Sequence, residues 1–227
     1  MAAVLWDIDG TLIRSGSLGT QIFDEAFTEV VGQSAPPQSF HGKTDPQIIA
    51  EHLTAIDRAH DEALIDAVVE SLVSKMALHA PTMATEGWLL PGVVPLLETF
   101  ARAGVHQSVL TGNVRANAIV KLETFGLLDF LDLSTGAFGS DHAHRPALGA
   151  IALERLHASG RELDPSEVWI IGDSPNDWWC AETNGFRCIL VATGVVGYHE
   201  LAGLGADACV TDLSDAAALA SLVTSSA

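Results

Sequence analysis

One stretch near the start of the chain decides its fold: Ala2-Ala3-Val4-Leu5-Trp6-Asp7-Ile8-Asp9-Gly10-Thr11-Leu12. A short apolar run that ends at a glycine predicts a buried strand with an abrupt stop. Asp7 and Asp9 then lie at its carboxyl end, on one side if the chain stays extended, unless the turn at Gly10 splays them. Two like charges this close need a cation, a shared proton or cationic side chains, and a divalent metal is the simplest answer.

The composition is that of a globular α/β protein, because 48% of the 227 residues are hydrophobic and they occur in short bursts. No apolar stretch approaches the length of a membrane span. The chain starts directly with the strand pattern and has no basic leader followed by an apolar core, so we expect no signal peptide and a cytoplasmic protein. The three cysteines, Cys180, Cys188 and Cys209, lack metal-ligand spacing and are predicted to be buried free thiols.

The net charge of −18 argues against nucleic-acid and anionic-membrane partners, because the long-range field would repel polymers of phosphate. A site that handles phosphate in such a chain needs its own cations, from a metal, from arginine or lysine, or from backbone N–H groups.

Helical and strand patterns alternate along most of the chain, which predicts a parallel sheet covered by helices. Strands are predicted at 2–6, 105–111, 131–135, 168–171, 188–192 and 208–211, and helices at 91–104, 113–125, 146–159, 176–184, 197–203 and 213–223. Three further helical patterns, at 20–31, 46–55 and 61–80, follow one another without a strand. We therefore predict an α/β core, residues 1–14 and 84–227, with an all-helical insertion at 15–83.

The ligand site of a parallel sheet lies at the carboxyl ends of its strands. One such end carries Gly172-Asp173-Ser174-Pro175-Asn176-Asp177. Asp173 and Asp177, with Asp7 and Asp9, form an oxygen-rich set without histidine or cysteine, which favours Mg²⁺. Taken singly, Asp173 or Asp177 could instead cap a helix.

Another strand end carries Thr111-Gly112-Asn113, whose hydroxyl and backbone N–H groups can hold an anion. An ordinary helix cap is the alternative interpretation. Arg145 precedes Pro146 at the start of a predicted helix, where a guanidinium can bind phosphate with two hydrogen bonds. Taken alone, Arg145 could equally be a solvated surface arginine.

In this order, the motifs resemble the haloacid dehalogenase-like superfamily, specifically its aspartate-nucleophile phosphatases with a helical cap, of the phosphoglycolate-phosphatase-like kind. Asp7-Ile8-Asp9-Gly10-Thr11 looks like the first motif, Thr111 like the second, and Gly172-Asp173 with Asp177 like the fourth, so the resemblance spans essentially the whole chain. The third motif usually has a lysine, where this chain offers Arg145. The charge is kept, but a planar fork replaces a compact ammonium.

The resemblance implies a role for each of these residues. Asp7 would attack phosphorus, and Asp9 would act as the general acid and base. Mg²⁺ would be held by Asp7, the Asp9 backbone carbonyl and Asp173, and Asp177 would complete the metal site by fixing water molecules or the groups around the ion. The transferring phosphoryl group would be bound by Thr111, Gly112, Asn113 and Arg145.

The insertion at 15–83 would then be a cap domain that closes over the site and recognises the leaving group. Its loop Gly42-Lys43-Thr44-Asp45 is similar to the cap loop of phosphoglycolate-phosphatase-like proteins. Lys43 would contact the substrate or solvent, although a cap lysine forms a Schiff base in phosphonatases. An aspartate at position 9 is typical of enzymes that act on phosphate esters.

The sequence therefore predicts a Mg²⁺-dependent phosphatase that acts, as a monomer or homodimer, on a small phosphorylated metabolite such as phosphoglycolate or a sugar phosphate. One alternative is a phosphomutase that uses the same nucleophile. Another is a non-catalytic binding protein on the same fold, against which the presence of both Asp7 and Asp9 argues.

Overall fold

The computed structural model describes residues 2–58 and 61–225. The strands within them are β1 Ala3–Trp6, β2 Ile13–Arg14, β3 Trp88–Leu89, β4 His106–Thr111, β5 Ala137–Phe138, β6 Val168–Gly172, β7 Arg187–Val191 and β8 Ala208–Val210. The α-helices are α1 Leu18–Val31, α2 Asp45–Ala55, α3 Glu62–Glu86, α4 Val93–Arg102, α5 Arg115–Thr124, α6 Arg145–Ala158, α7 Pro175–Asn184, α8 Tyr198–Ala202 and α9 Ala216–Thr224.

The predicted parallel sheet is confirmed. Within the described residues, six strands pair in the order β5-β4-β1-β6-β7-β8, and every pair is parallel. β1 lies in the middle, where Trp6 is opposite Val109 of β4 and Ile171 of β6. All four β1 residues are buried, as expected for a strand covered by helices on both faces. The carboxyl ends of β1, β4 and β6, which carry the predicted motifs, therefore meet at one edge.

The helices of the predicted insertion have a hydrophobic cluster of their own. Phe27, Ile49, Leu53 and Val68, all with no exposed surface, belong to it, and they come from α1, α2 and α3. Two other clusters among the described residues cover the two faces of the large sheet. The short antiparallel pair of β2 and β3 lies where the chain leaves the core and returns to it.

Two predicted boundaries were wrong by several residues. The third helix does not end near residue 80, because it accommodates Pro81 and continues to Glu86. The last helix begins at Ala216 rather than at 213, because the Asp215 side chain accepts a hydrogen bond from the Ala218 N–H and caps it there.

The strand predicted at 131–135 was also wrong. The Asp132 carboxylate accepts hydrogen bonds from the backbone and hydroxyl of Ser134, which form a local turn. The edge strand follows at Ala137–Phe138 instead, paired with Leu110 and Thr111. None of the helices in the described part of the chain combines the length and the apolar character needed to span a bilayer.

The start of α2 is hydrogen-bonded directly to the core. The Asp45 backbone N–H donates to the Gly112 carbonyl at 2.8 Å, and the Asp45 carboxylate accepts from the Val114 N–H at 2.8 Å. The Thr44 hydroxyl donates to the Ala143 carbonyl at 2.5 Å. These bonds hold the insertion against the loops that follow β4 and β5.

We predict that Gly112→Ala weakens this contact. A Cβ at position 112 would lie 2.0 Å from the Lys43 carbonyl oxygen, so the two backbones must separate. The free energy of unfolding in urea should fall by about 1 to 3 kcal/mol, the usual cost of forcing an extra methyl group into a packed contact. Gly197→Ala is the control, because a Cβ there meets nothing within 4 Å and φ is −74°. Equal stability of the two variants would contradict the prediction.

Candidate active site

The turn after β1 separates the two carboxylates of the first motif. The Leu12 and Ile13 N–H groups both donate to the Ile8 carbonyl, and Gly10 has a φ of +88°. Asp7 is 5% exposed and its Oδ1 lies 3.0 Å from the Arg145 guanidinium. The Asp9 carboxylate instead binds Lys121. Of the two arrangements that the sequence left open, the structure shows the splayed one.

Asp7, Asp173 and Asp177 form a buried acidic cluster, with a ligand oxygen of each within 4.8 Å of the others. Burial raises the pKa of Asp7 to about 6, although Arg145 opposes the shift. Burial, reinforced by the charges of Asp7 and Asp177, raises the pKa of Asp173 well above its ordinary value. The cluster is therefore short of positive charge, and a hard divalent cation fits its donor set.

Small residues leave room around the Asp173 carboxylate. A Cβ at Gly10 would lie 2.4 Å from one of its oxygens, and a Cβ at Gly194 would lie 1.7 Å away. The Thr11 hydroxyl lies 3.4 Å from the other oxygen. Two glycines therefore allow the backbone to approach this carboxylate more closely than any side chain would permit.

Asp177 is both a helix cap and a member of the cluster. Its Oδ2 accepts hydrogen bonds from the backbone and hydroxyl of Ser174, which forms a capping box at the start of α7. Its Oδ1 contacts Arg145. The helix-cap interpretation of Asp177 was therefore correct, but the same side chain also belongs to the acidic cluster.

The structure excludes the interpretation of Arg145 as a surface arginine. It is the first residue of α6, is 3% exposed, and contacts both Asp7 and Asp177. Burial lowers the pKa of its guanidinium, but the charges of Asp177 and Asp7 outweigh that effect and raise it. Arg145 is therefore a permanent cation at the acidic cluster.

Asp9 belongs to a second network, on the side of β4 and α5. Its Oδ2 accepts from the Lys121 ammonium at 2.6 Å and from the Asn113 side-chain amide at 2.8 Å. Lys121 also donates to the Asn113 carbonyl oxygen, and the Asn113 amide donates to the Thr111 hydroxyl oxygen. The predicted residues Thr111 and Asn113 thus lie beside Asp9.

Lys121 is the main residue that our sequence reasoning missed. It is 5% exposed. It lies on a helix that we predicted, but the prediction gave this lysine no functional role. The spacing of Asn117 and Lys121, four residues apart, was the available signal, because such residues share one face of a helix. That face lines the cavity.

The carboxyl edge of the sheet and the insertion enclose a cavity of about 220 Å³. Lys43 lines it, and its ammonium lies 2.5 Å from the Glu51 carboxylate. Arg14, which we did not single out, lines it too and donates to the Gly194 carbonyl at 2.8 Å. Of the predicted site residues, the cavity is lined by Asp7, Asp9, Lys43, Thr111, Gly112, Asn113, Arg145 and Asp173.

Asp45 contributes a further buried carboxylate from the insertion. Burial raises its pKa to about 6 from 3.8, while Lys121 and the Val114 N–H oppose the shift. The folded protein therefore holds a proton there more tightly than the unfolded chain, so ionisation of Asp45 as the pH rises destabilises the fold.

We predict that Asp45→Asn removes this cost, because asparagine keeps an acceptor for the Val114 N–H but cannot ionise. The variant's advantage in unfolding free energy should grow by roughly 2 kcal/mol between about pH 4.5 and about pH 7. Urea denaturation without divalent metal measures this.

The control for this experiment is Asp212→Asn. The Ser214 N–H lowers the pKa of the exposed Asp212 carboxyl below 3.8. The difference in unfolding free energy between Asp212→Asn and wild type should therefore change little over the same pH interval. If the difference in unfolding free energy between Asp45→Asn and wild type does not change with pH, then ionisation of Asp45 does not destabilise the fold.

Known proteins resemble this chain along most of its length. The family model described as haloacid dehalogenase-like hydrolase matches residues 4–182. A phosphoglycolate phosphatase of Thiobacillus denitrificans is 25% identical over 95% of this chain and 93% of its own length. A plasmid-encoded phosphoglycolate phosphatase of Cupriavidus necator is 27% identical over 96% and 92%.

Solved structures share the fold. A variant of CbbY from Rhodobacter sphaeroides, in complex with xylulose-(1,5)bisphosphate, matches with a TM-score of 0.72 and 24% identity, over 95% of this chain and 96% of that chain.

Proposed function

Because the chain belongs to the haloacid dehalogenase-like hydrolase family, we propose that it is a Mg²⁺-dependent phosphatase that works through an aspartyl-phosphate. It is a hydrolase of phosphate esters, similar to phosphoglycolate phosphatases. One observation carries the mechanism: the turn after β1 places Asp7 in an acidic cluster with Arg145, and Asp9 in a separate network with Lys121. Two carboxylates in different environments can serve as nucleophile and as acid and base.

The buried acidic cluster would hold the metal. We assign direct contacts to the Asp7 and Asp173 carboxylates and to the Asp9 backbone carbonyl. Asp177, whose two oxygens already bind Ser174 and Arg145, would orient the site rather than bind the ion itself. When bound, Mg²⁺ would neutralise the cluster and the negative charge of the phosphoryl group.

The phosphoryl oxygens would be bound by Thr111, by the backbone of Gly112 and Asn113, and by Arg145. The Thr111 hydroxyl oxygen accepts from Asn113, which leaves its proton free to be donated to an anion. Such fixed donors stabilise a transition state in which charge develops on the transferring oxygens.

The chemistry takes two steps. In the first, an Asp7 carboxylate oxygen forms a bond to phosphorus, the ester P–O bond breaks, and Asp9 gives its proton to the departing oxygen. In the second, water attacks phosphorus, Asp9 takes a proton from that water, and the bond between Asp7 and phosphorus breaks. Inorganic phosphate leaves, and both carboxylates return to their starting states.

Lys121 and Asn113 would position Asp9 for this role. Both bind Oδ2, so we assign the proton transfer to Oδ1. The Asp9 side chain is 40% exposed although that of Lys121 is only 7% exposed, which leaves Asp9 accessible from the cavity.

The helical insertion, residues 15–83, would act as a cap that recognises the leaving group. It brings Lys43 to the cavity and hydrogen-bonds to the loop after β4. The substrate would be a small phosphorylated metabolite, such as the phosphoglycolate named for the curated relatives or a sugar phosphate.

A panel of phosphomonoesters assayed for release of inorganic phosphate tests the proposal. We expect turnover of at least one small ester with Mg²⁺ and its loss in excess EDTA. Isomerisation of a sugar phosphate with almost no release of phosphate would identify a mutase instead. The absence of any Mg²⁺-dependent turnover would overturn the proposal and favour a binding protein.

We predict that Asp7→Asn lowers kcat by at least about 1,000-fold, because it removes the nucleophile. Since the substitution also removes one charge from a crowded cluster, thermal unfolding should show an intact fold with an unchanged or raised Tm. Asp129→Asn, at an exposed position of the core, is the matched control and should retain activity. Undiminished turnover by Asp7→Asn would refute the covalent mechanism.

A further inference from the structure

Asn117 is a buried amide that the proposed mechanism does not use. It lies on α5, is 1% exposed, and lines the cavity. Neither its amide nitrogen nor its carbonyl oxygen makes a hydrogen bond of normal geometry with the described residues. Since an unpartnered buried amide destabilises a fold, its place in the wall of a cavity points to a ligand that completes it.

The position of Asn117 on α5 places it beside the acid and base. Asn117 and Lys121 lie four residues apart on α5 and therefore share one face, and Asn113 lies in the loop just before the helix. Asn113 and Lys121 both bind the Asp9 carboxylate. Asn117 therefore lies in sequence between the two residues that hold Asp9, and it lines the same cavity.

Asp45 can satisfy at most part of this amide. Asn117 is close enough to help lower the pKa of the Asp45 carboxyl, yet it makes no hydrogen bond of normal geometry with it. An asparagine has two N–H donors and one carbonyl acceptor. With one N–H directed at the Asp45 carboxyl, the amide still has one donor and one acceptor that make no hydrogen bond with the described residues.

We propose that Asn117 is a specificity-determining residue that binds a hydroxyl group on the leaving group of the substrate. This inference rests on the proposed phosphatase function. A hydroxyl is the small group that can satisfy both atoms of the amide, because its proton binds Oδ1 while its oxygen accepts from Nδ2. A carboxylate accepts only, and a methyl group does neither. The substrate class is thus a phosphomonoester of a polyol or sugar.

Two esters that differ only in hydroxyl groups test the proposal. Wild-type enzyme with Mg²⁺ should hydrolyse α-glycerol phosphate with a kcat/KM about 10-fold to about 100-fold above that for n-propyl phosphate, because the ester without hydroxyls leaves the amide unpaired. Asn117→Leu should remove most of this preference. It should lower kcat/KM for α-glycerol phosphate while changing that for n-propyl phosphate by less than about 3-fold.

Thermal unfolding separates a binding role from a structural one. Asn117→Leu replaces an unpaired buried amide with an apolar side chain of similar size, so the Tm should not fall. Gln107→Met is the matched control, because the Gln107 amide is also buried but is paired with Trp6 and the Leu97 carbonyl. The control should lower the Tm and keep the wild-type preference between the two esters.

Three results would overturn the inference. Equal hydrolysis of both esters by wild type would show that no hydroxyl is recognised. An equal loss on both esters in Asn117→Leu, with a lower Tm, would make Asn117 a structural residue. If wild type releases phosphate from neither ester nor from any other phosphomonoester of the panel, the phosphatase function itself fails, and this inference fails with it.

Discussion

The site depends on the burial of three carboxylates, Asp7, Asp173 and Asp177, whose oxygens lie within 4.8 Å of one another. Removal of so many charges from water is costly, and a single cation, Arg145, compensates only part of the repulsion. The raised pKa values of Asp7 and Asp173 express that deficit. The surrounding structure fits the same constraint, since glycines make room for Asp173 and the capping box of α7 satisfies Asp177.

The net charge of the chain makes the local arrangement of cations decisive. With a formal charge of −18, the protein repels an anionic substrate at long range. At physiological ionic strength that repulsion is screened beyond about 8 Å, so the groups in the wall of the cavity dominate once the substrate arrives. Arg14, Lys43, Lys121 and Arg145 all line the cavity. An acidic protein can therefore contain a site for phosphate esters without a basic surface.

Most of the fold followed from patterns that burial imposes on sequence. Apolar runs that end in glycine and polar residues predicted β1, β4 and β6, and the rule for parallel sheets placed their ends together. The edge strand β5 was not predicted at its true position, because it has only two residues. The apolar residues before it, which suggested a strand, belong to a turn made by Asp132. Short edge strands have too little periodicity to be distinguished from loops.

The site was predictable where a motif lies at a strand end, and less so where a helix contributes a whole face. Asp7, Asp9, Thr111 and Asp173 follow strands directly, so their positions required only the order of the sheet. Lys121 and Asn117 lie in the middle of α5, where a polar stripe looks the same whether it faces solvent or a cavity. Only the contact between the insertion and the loop after β4 decides which it is.

That contact also connects two proposed roles of α5, which are to position Asp9 and to bind the leaving group. α5 holds Asp9 through Lys121, and between Lys121 and Asn113 it presents Asn117 to the cavity. Asp45 of the insertion binds the backbone at the start of the same helix. A leaving group that fits between the insertion and α5 would therefore be recognised at the place where it must receive its proton. Because orientation relative to the acid governs that transfer, selection of the leaving group and catalysis would use the same few side chains.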